Sequence, residues 1–324
     1  MGGTWRIPVL VGLQDKNFIS DIRKDETYDE ASFEREYESM WTGTVEGSFF
    51  NGDHFDRGRI LLKPEYEYTA GRGHENSRNY YVLGVDVGRI KCDSVVCVFK
   101  VRPLEVGAPV ISLVNIYVLN DENLLDQAIV LKRLYYKYHA LKIVIDGNGL
   151  GHGLIDAMVK PSLDPETGEE YPDFGIENDK DNEYKKFQTK NTEFDAIYNM
   201  KANPAINTAC HSNVVTQMSS GKIKFLIDER SAKLKLLGTR VGKEMTPEQR
   251  KIYLRPYQLT SILKDEMLNL REETQGLNIV LKQANKQIPK DKFSSFEYGL
   301  WYIKENEGKK KKKKFKASDW LFLN

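Results

Sequence analysis

The stretch Tyr80-Tyr81-Val82-Leu83-Gly84-Val85-Asp86-Val87-Gly88 is apolar except for Asp86, and reads as a strand over 80 to 87. Two further runs of strand character follow at 94 to 102 and 110 to 119. The first two are joined by a short polar connection, which predicts a hairpin. Leu124 to Tyr138 has apolar residues near helical spacing, at Leu124, Leu125, Ala128, Leu131 or Lys132, and Tyr135. The next strand, Leu141-Lys142-Ile143-Val144-Ile145-Asp146-Gly147, completes a β-α-β unit from 110 to 146, a form that builds a parallel pair. Antiparallel strands followed by a parallel one predict a mixed sheet.

Outside this block the pattern is less regular. Residues 29 to 41 read as a helix with Asp29 as N-cap, Tyr28 and Phe33 as a hydrophobic staple, and Phe33, Tyr37, Met40 and Trp41 on one face. The glycines between 42 and 79 predict loop and linker, so residues 1 to about 75 read as the end of something larger. A helix is expected at about 154 to 160. Residues 161 to 200, rich in Asp, Glu, Lys and Pro, resemble an insertion with weak periodicity. Beyond it, 221 to 227 alternates like a strand. A helix over about 260 to 275, capped by Thr260 and stopped at Gly276, precedes a strand at 279 to 281. A last helix is expected over 292 to 304, with Phe293, Phe296, Leu300 and Ile303 inward.

Composition limits the classes. The 324 residues are 40% hydrophobic, and a mean hydropathy of −0.54 fits a globular chain. No run reaches the roughly 18 apolar residues of a membrane helix, and the N-terminus lacks a signal-peptide pattern, so no membrane partner and no export are expected. Cys92, Cys97 and Cys210 give neither a disulfide framework nor a zinc knuckle and read as reduced core thiols. The net charge of +1 hides an asymmetry: seven lysines lie between 309 and 316, and the rest of the chain has 41 basic against 47 acidic residues, a net of −6. Such a basic block is ordinarily a solvated, disordered tail.

A charge inside a strand needs a compensating cation. Asp86 and Asp146 stand at strand ends, and Asp291 opens the amphipathic segment Asp291-Lys292-Phe293-Ser294-Ser295-Phe296. Hard divalent cations take hard oxygen ligands, so three carboxylates on separate rigid elements suggest a metal site, with Asp93 as an outer candidate. Each has a plainer role open to it. Asp291 can serve as an N-cap, Asp146 can begin an Asp-Gly turn, and Asp93 can be a solvated turn residue. Asp86 has neither alternative. Gly147, Gly149, Gly151 and Gly153 miss the dinucleotide spacing, because the third glycine position falls on His152, and no phosphate-binding G-x-x-x-x-G-K-[ST] occurs. The five histidines have no metal-ligand spacing, and His152 alone lies near the proposed site.

With these residues in view, the chain resembles the C-terminal nuclease domain of the large terminase subunit of tailed bacteriophages. Three segments carry the resemblance: Leu83-Gly84-Val85-Asp86-Val87-Gly88, then Val144-Ile145-Asp146-Gly147-Asn148-Gly149-Leu150-Gly151, then Lys290-Asp291-Lys292-Phe293-Ser294-Ser295 with Tyr298-Gly299-Leu300. Upstream, Ser32-Phe33-Glu34-Arg35-Glu36-Tyr37 and Gly47-Ser48-Phe49-Phe50 look like the end of the terminase ATPase domain and its linker.

The resemblance implies a ribonuclease H-like fold, a mixed five-stranded sheet flanked by helices. It implies cleavage of concatemeric double-stranded viral DNA with two Mg²⁺ or Mn²⁺ ions during packaging. Asp86, Asp146 and Asp291 would be the metal ligands, with Asp93 beside them. Lys290 and Lys292 would flank the site and contact DNA, joined by Lys309, Lys310, Lys311, Lys312, Lys313 and Lys314 of the tail. The domains would be 1–75 (end of the ATPase domain and linker), 76–308 (nuclease) and 309–324 (basic tail). The implied partners are double-stranded DNA, the ATPase domain, the phage portal and the small terminase subunit, in the host cytoplasm. Without the motor motifs the chain reads as a fragment that does not translocate DNA. Some relatives have a histidine three residues before the last Asp; Ile288 stands there, which removes the basis for a His-assisted step. Holliday-junction resolvases and transposases share the acidic-cluster fold. A nuclease-silent module that grips DNA or docks the portal is the reading from another class.

Overall fold

The computed structural model describes residues 47–69, 79–88, 94–104, 107–119 and 123–314, so the helix expected over 29 to 41 and the side chains of Asp93 and Cys92 lie outside the described residues. In chain order the elements begin with α1 (Gly52–Gly58), β1 (Arg59–Leu61), β2 (Tyr80–Asp86), β3 (Ser94–Arg102), β4 (Val110–Leu119), α2 (Leu124–Lys137), β5 (Ala140–Ile145) and α3 (Leu150–Met158). Short strands β6 (Ser162–Leu163), β7 (Glu170–Tyr171) and β8 (Phe174–Ile176) lead to β9 (Glu193–Asn199) and α4 (Pro204–Ser219). The chain continues through β10 (Ile223–Leu226), α5 (Glu229–Leu237), α6 (Arg240–Glu244) and α7 (Pro247–Leu268). The hairpin β11 (Leu270–Gln275) and β12 (Asn278–Gln283) then precedes α8 (Asp291–Lys314). Among the described residues no helix is long and apolar enough to cross a membrane.

One mixed sheet has the order β1-β10-β4-β3-β2-β5-β9-β8. The expected α/β architecture is present, with eight strands where five were expected. Strands β2 and β3 pair antiparallel as the expected hairpin, and β4 pairs antiparallel with β3. Strand β5 runs parallel to β4 as expected of the β-α-β unit but pairs with β2, because α2 carries the chain past β3 and β2 to the far side of the hairpin. The extra strands come from segments whose pattern hid them. β9 pairs in parallel with β5 inside the presumed insertion, because Glu193 and Asp195 break the apolar run that a buried strand ordinarily shows. β1 pairs with β10 inside the presumed linker, and Phe50 and Phe55 nearby are buried in the main core. Residues 47–69 are therefore built into the same core as the sheet, so this part of the segment expected as loop and linker is not linker.

The helix expected at 260 to 275 is also corrected. It starts thirteen residues earlier at Pro247, capped by Thr246 and Gln249 in a reciprocal capping box. Pro256 ordinarily reads as a helix breaker, but here it is accommodated, and the Thr260 hydroxyl donates to its carbonyl (2.8 Å) rather than capping anything. Residues 270 to 275 are strand, and Gly276 (φ +63°) forms the two-residue turn to β12. Helix α8 runs ten residues past its expected end, so Lys309–Lys314 continue a helix.

Side chains alternate across the sheet. Tyr81, Leu83, Val85, Ile143 and Ile145 pack with α2 and α3 on one face, where Leu131, Tyr138, Leu154 and Ile155 are buried. Val82, Cys97, Phe99 and Ile111 face the other way, onto Phe293, Phe296, Leu300 and Ile303 of α8 and Leu259 and Leu263 of α7. Gly84 and Asp86 share this second face with Val82. A Cβ on Gly84 would lie 2.2 Å from the Ser295 carbonyl and 3.0 Å from the Gly299 nitrogen, and one on Gly299 would lie 2.3 Å from the Phe99 ring. Helix α8 therefore rests backbone against backbone on β2.

Substituting Gly84→Ala must displace backbone, because the nearest atoms are main-chain. Urea denaturation is expected to show a loss of at least the roughly 1–3 kcal/mol typical of overpacking. Gly149→Ala, where no atom lies within 4 Å, is expected to cost only its positive φ of 57°.

Candidate metal centre

Asp86 is the last residue of β2, and Asp146 follows the last residue of β5. These strands are parallel neighbours with Val85 opposite Ile145, so the two carboxylates leave adjacent strand ends roughly 4.8 Å apart on the same face. Helix α8 runs back over β2 in the opposite sense. The Ser295 hydroxyl donates to the Gly84 carbonyl (2.8 Å) and accepts from the Cys97 amide (3.0 Å), while Tyr80, at the far end of β2, donates to Glu307 (2.8 Å). The first residue of α8, Asp291, is thereby set beside Asp86.

Charge coupling records this convergence. Burial, followed by the neighbouring Asp291, pushes the Asp86 carboxyl from its ordinary 3.8 up to about 7; Asp146 and Glu297 add to the rise, and Lys290 opposes it. Asp146 Oδ1 accepts from the amides of Asn148 and Ala202 (both 3.2 Å), so this carboxylate also holds its own turn and the loop after β9. The turn role open to Asp146 is thus present in the structure. Among the described residues, no group of three His, Cys, Asp or Glu side chains stands in metal-holding geometry. The donor set is nevertheless all hard carboxylate oxygen, the chemistry that suits Mg²⁺ or Mn²⁺, and its mutual repulsion favours a cation.

The capping role considered for Asp291 is performed from another helix. The Lys290 carbonyl accepts the Ser294 amide, which makes Lys290 the cap residue, and the Phe293 amide donates to Glu266 Oε2 of α7 (3.0 Å). Glu266 is fully buried and also accepts from Lys292 Nζ (3.1 Å). Its carboxyl is pushed up to about 7 by burial, against the pull of Lys292. Lys292 is 4% exposed and so does not stand at the mouth of the site. One residue along a helix turns the side chain about 100°, which carries Lys292 inward beside Phe293. Lys290 is exposed, and its charge opposes the rise of the Asp86 carboxyl. Lys309 is exposed and pairs with Glu177 (3.2 Å), about 27 Å along α8 from Asp291, at the opposite end of β2. Lys310–Lys314 extend the helix further from the carboxylates.

Two groups were missed from the sequence. Glu266 is one. The other is Glu297, buried on α8, whose Oε2 lies 2.7 Å from Nδ1 of buried His211 on α4; burial raises the Glu297 carboxyl and His211 opposes the rise. The available signal was a charged residue in an apolar stripe: Glu297 stands beside Phe296 and before Leu300, and Glu266 between Leu263 and Met267. His152, half exposed on α3, has its Nδ1 3.0 Å from the Tyr184 hydroxyl.

Removing one partner of the Glu266–Lys292 pair strands the other in the core. Glu266→Ala and Lys292→Met are each expected to cost about 3–5 kcal/mol in chemical denaturation. The folded state also holds a proton on Asp86 between its ordinary 3.8 and about 7. Metal-free protein is therefore expected to lose stability as pH rises from about 4 to about 7, on the order of a few kcal/mol. Asp86→Asn should flatten part of that slope, Glu266 titrating in the same window, and thermal melts across pH check both outcomes.

No protein-family model matches the chain, and no curated protein does. Among solved structures, it is similar to the large terminase nuclease of thermophilic phage G20c with bound magnesium, at 17% identity and a TM-score of 0.44, covering 79% of this chain and 97% of that one. The same nuclease with bound cobalt matches at 17% identity and a TM-score of 0.43, over 79% of this chain and 97% of that one. The large terminase nuclease domain of Thermus phage P74-26 matches at 17% identity and a TM-score of 0.40, over 76% of this chain and 91% of that one. Over most of its length, then, this chain is similar in structure to large terminase nuclease domains of thermophilic phages.

Proposed function

We propose that this chain is a metal-dependent endonuclease that cuts concatemeric double-stranded DNA during phage genome packaging, by two-metal-ion hydrolysis of the phosphodiester. The observation that carries this reading is the seating of Asp291 over the adjacent strand ends of Asp86 and Asp146, with the Asp86 carboxyl raised by its neighbours. Divalent ions bound there would activate a water and neutralise charge on the attacking and leaving oxygens. Asp86 and Asp291 would hold them from opposite layers of the fold. Asp146 would contribute from the neighbouring strand end while its turn bonds keep it in place. Lys290, exposed at the start of α8, would face the phosphate backbone at the mouth of the site.

In this reading the terminase ATPase domain, the portal and the small terminase subunit are the partners, and the host cytoplasm is the place of action. Asp93 would be a further ligand.

Nicking of supercoiled plasmid with Mn²⁺, Mg²⁺ or EDTA tests the proposal. Asp86→Asn, Asp146→Asn and Asp291→Asn are each expected to lower cleavage by about 100-fold or more, the triple variant being little worse than the worst single one, because the three act as a unit. Mn²⁺ should also raise the melting temperature of the wild type and leave Asp86→Asn almost unmoved. Near wild-type cleavage by Asp86→Asn would sink the reading.

A further inference from the structure

Positive charge is distributed very unevenly outside the tail. Residues 229 to 255 contain eight basic and three acidic residues, an excess of five positive charges. Apart from this segment and the tail lysines, the chain has 33 basic against 44 acidic residues, a net of −11. The segment is helices α5 and α6 and the first turns of α7, and it is tied together as one body. A Cβ on Gly242 would lie 2.0 Å from the Leu236 carbonyl, so α6 is pressed against the end of α5. Arg250 of α7 donates to the carbonyls of Gly242 (3.1 Å) and Lys243 (3.0 Å), and Gln258 of α7 donates to Glu229 of α5 (2.8 Å). Ala232, Leu254 and Tyr257 bury the joint with Leu226 and Ile227. With Arg250 used internally, Lys233, Arg240, Lys243, Lys251 and Arg255 are exposed. Exposed among them are Leu234 (65%), Val241 (64%) and Ile252 (70%).

This basic shelf is placed on the side of the sheet from which the carboxylates emerge. Strand β10 is parallel to β4, and β4 and β2 are both antiparallel to β3, so the chain leaves β10 for α5 toward the edge at which β2 ends in Asp86. Helix α7 then spans the interval. Its first turns carry Lys251, and its Glu266 grips Lys292 and Phe293 beside Asp291. From residue 251 to 266 a helix covers about 22 Å. At 3.4 Å per base pair, that is the length of roughly six base pairs. The tail, by contrast, starts about 27 Å along α8 at the opposite end of β2.

We propose that the α5–α6–α7 shelf is a duplex-DNA grip, its exposed cations seating the phosphate backbone about six base pairs from the carboxylates. The proposal rests on the nuclease reading and adds where the substrate is held. On a body with a net of −11, a polyanion must dock through local excesses of positive charge, and the shelf is such a surface on the edge at which β2 ends. The same excess of charge selects DNA over an uncharged partner.

The test is duplex binding in EDTA, so that it is independent of cleavage. Fluorescence anisotropy of a 30-base-pair duplex across 50–200 mM salt would compare the wild type with Lys233→Ala/Lys243→Ala/Lys251→Ala. A control variant, Lys185→Ala/Lys186→Ala/Lys190→Ala, removes three exposed lysines elsewhere. Each phosphate contact contributes about 0.9 to the slope of log affinity against log salt. The shelf variant is expected to bind at least about tenfold more weakly at 100 mM salt, with a slope shallower by about 2 to 3, and the control to match the wild type. Affinity and slope unchanged in the shelf variant would overturn the proposal. Loss of poly-L-glutamate binding with duplex binding intact would also overturn it, and would assign the surface to an acidic protein. Failure of the wild type to nick plasmid with either metal would instead sink the nuclease reading, whatever the binding result.

Discussion

Two glycines facing each other hold this fold's candidate site together. Gly84 in β2 and Gly299 in α8 let the helix lie against the strand at a distance no side chain would permit, and the Ser295 hydroxyl, buried at the contact, bonds to both β2 and β3. Hydrophobic packing by Phe293, Phe296, Leu300 and Ile303 supplies the attraction over the rest of the helix. Packing alone would tolerate sliding; the close backbone contact and the buried hydroxyl do not. Because Asp291 lies one helical turn before Ser295 and Asp86 two residues after Gly84, fixing this crossing fixes the two carboxylates relative to each other.

Buried charge then refines the arrangement at some cost in stability. Glu266 and Lys292 form an ion pair in the core, and His211 and Glu297 form a second buried contact on the same side of the sheet. Hydrophobic residues of similar volume often serve stability as well or better, so such pairs are better explained by the position they impose. Glu266 takes the Phe293 amide, which anchors the first turn of α8 from α7; His211 ties α4 to α8 through Glu297. Asp86 feels the result as a raised carboxyl, held among negative neighbours with Lys290 as the opposing cation. A divalent cation bound beside it would relieve burial and repulsion together.

Long-range electrostatics point the same way as the local geometry. A chain whose body is acidic cannot attract a polyanion as a whole, and the tail and one three-helix shelf are segments where positive charge is in local excess. The tail continues α8 away from the carboxylates, whereas the shelf is joined to them by α7.

By itself the sequence determined the central architecture and singled out Asp86, Asp146 and Asp291 as candidate site carboxylates. Strands β3 and β4 were legible to the residue, and β2 to within one, because long apolar runs have few alternative structures, and Asp86 stood out because neither capping nor turn chemistry accounts for a charge there. Tertiary structure decided what local pattern does not encode. β9 is a central-sheet strand although it carries Glu193 and Asp195, since its pairing is set by β5 and not by its own periodicity. Helix α7 passes through Pro256, because its long run of buried residues, from Leu254 to Leu268, outweighs one lost hydrogen bond. Lys292 is a core residue although it neighbours a site carboxylate, because α8 turns it toward Glu266, 26 positions away in sequence. Partners so distant in the chain are brought together only by the packing of one helix on another, and no periodicity within either segment records them.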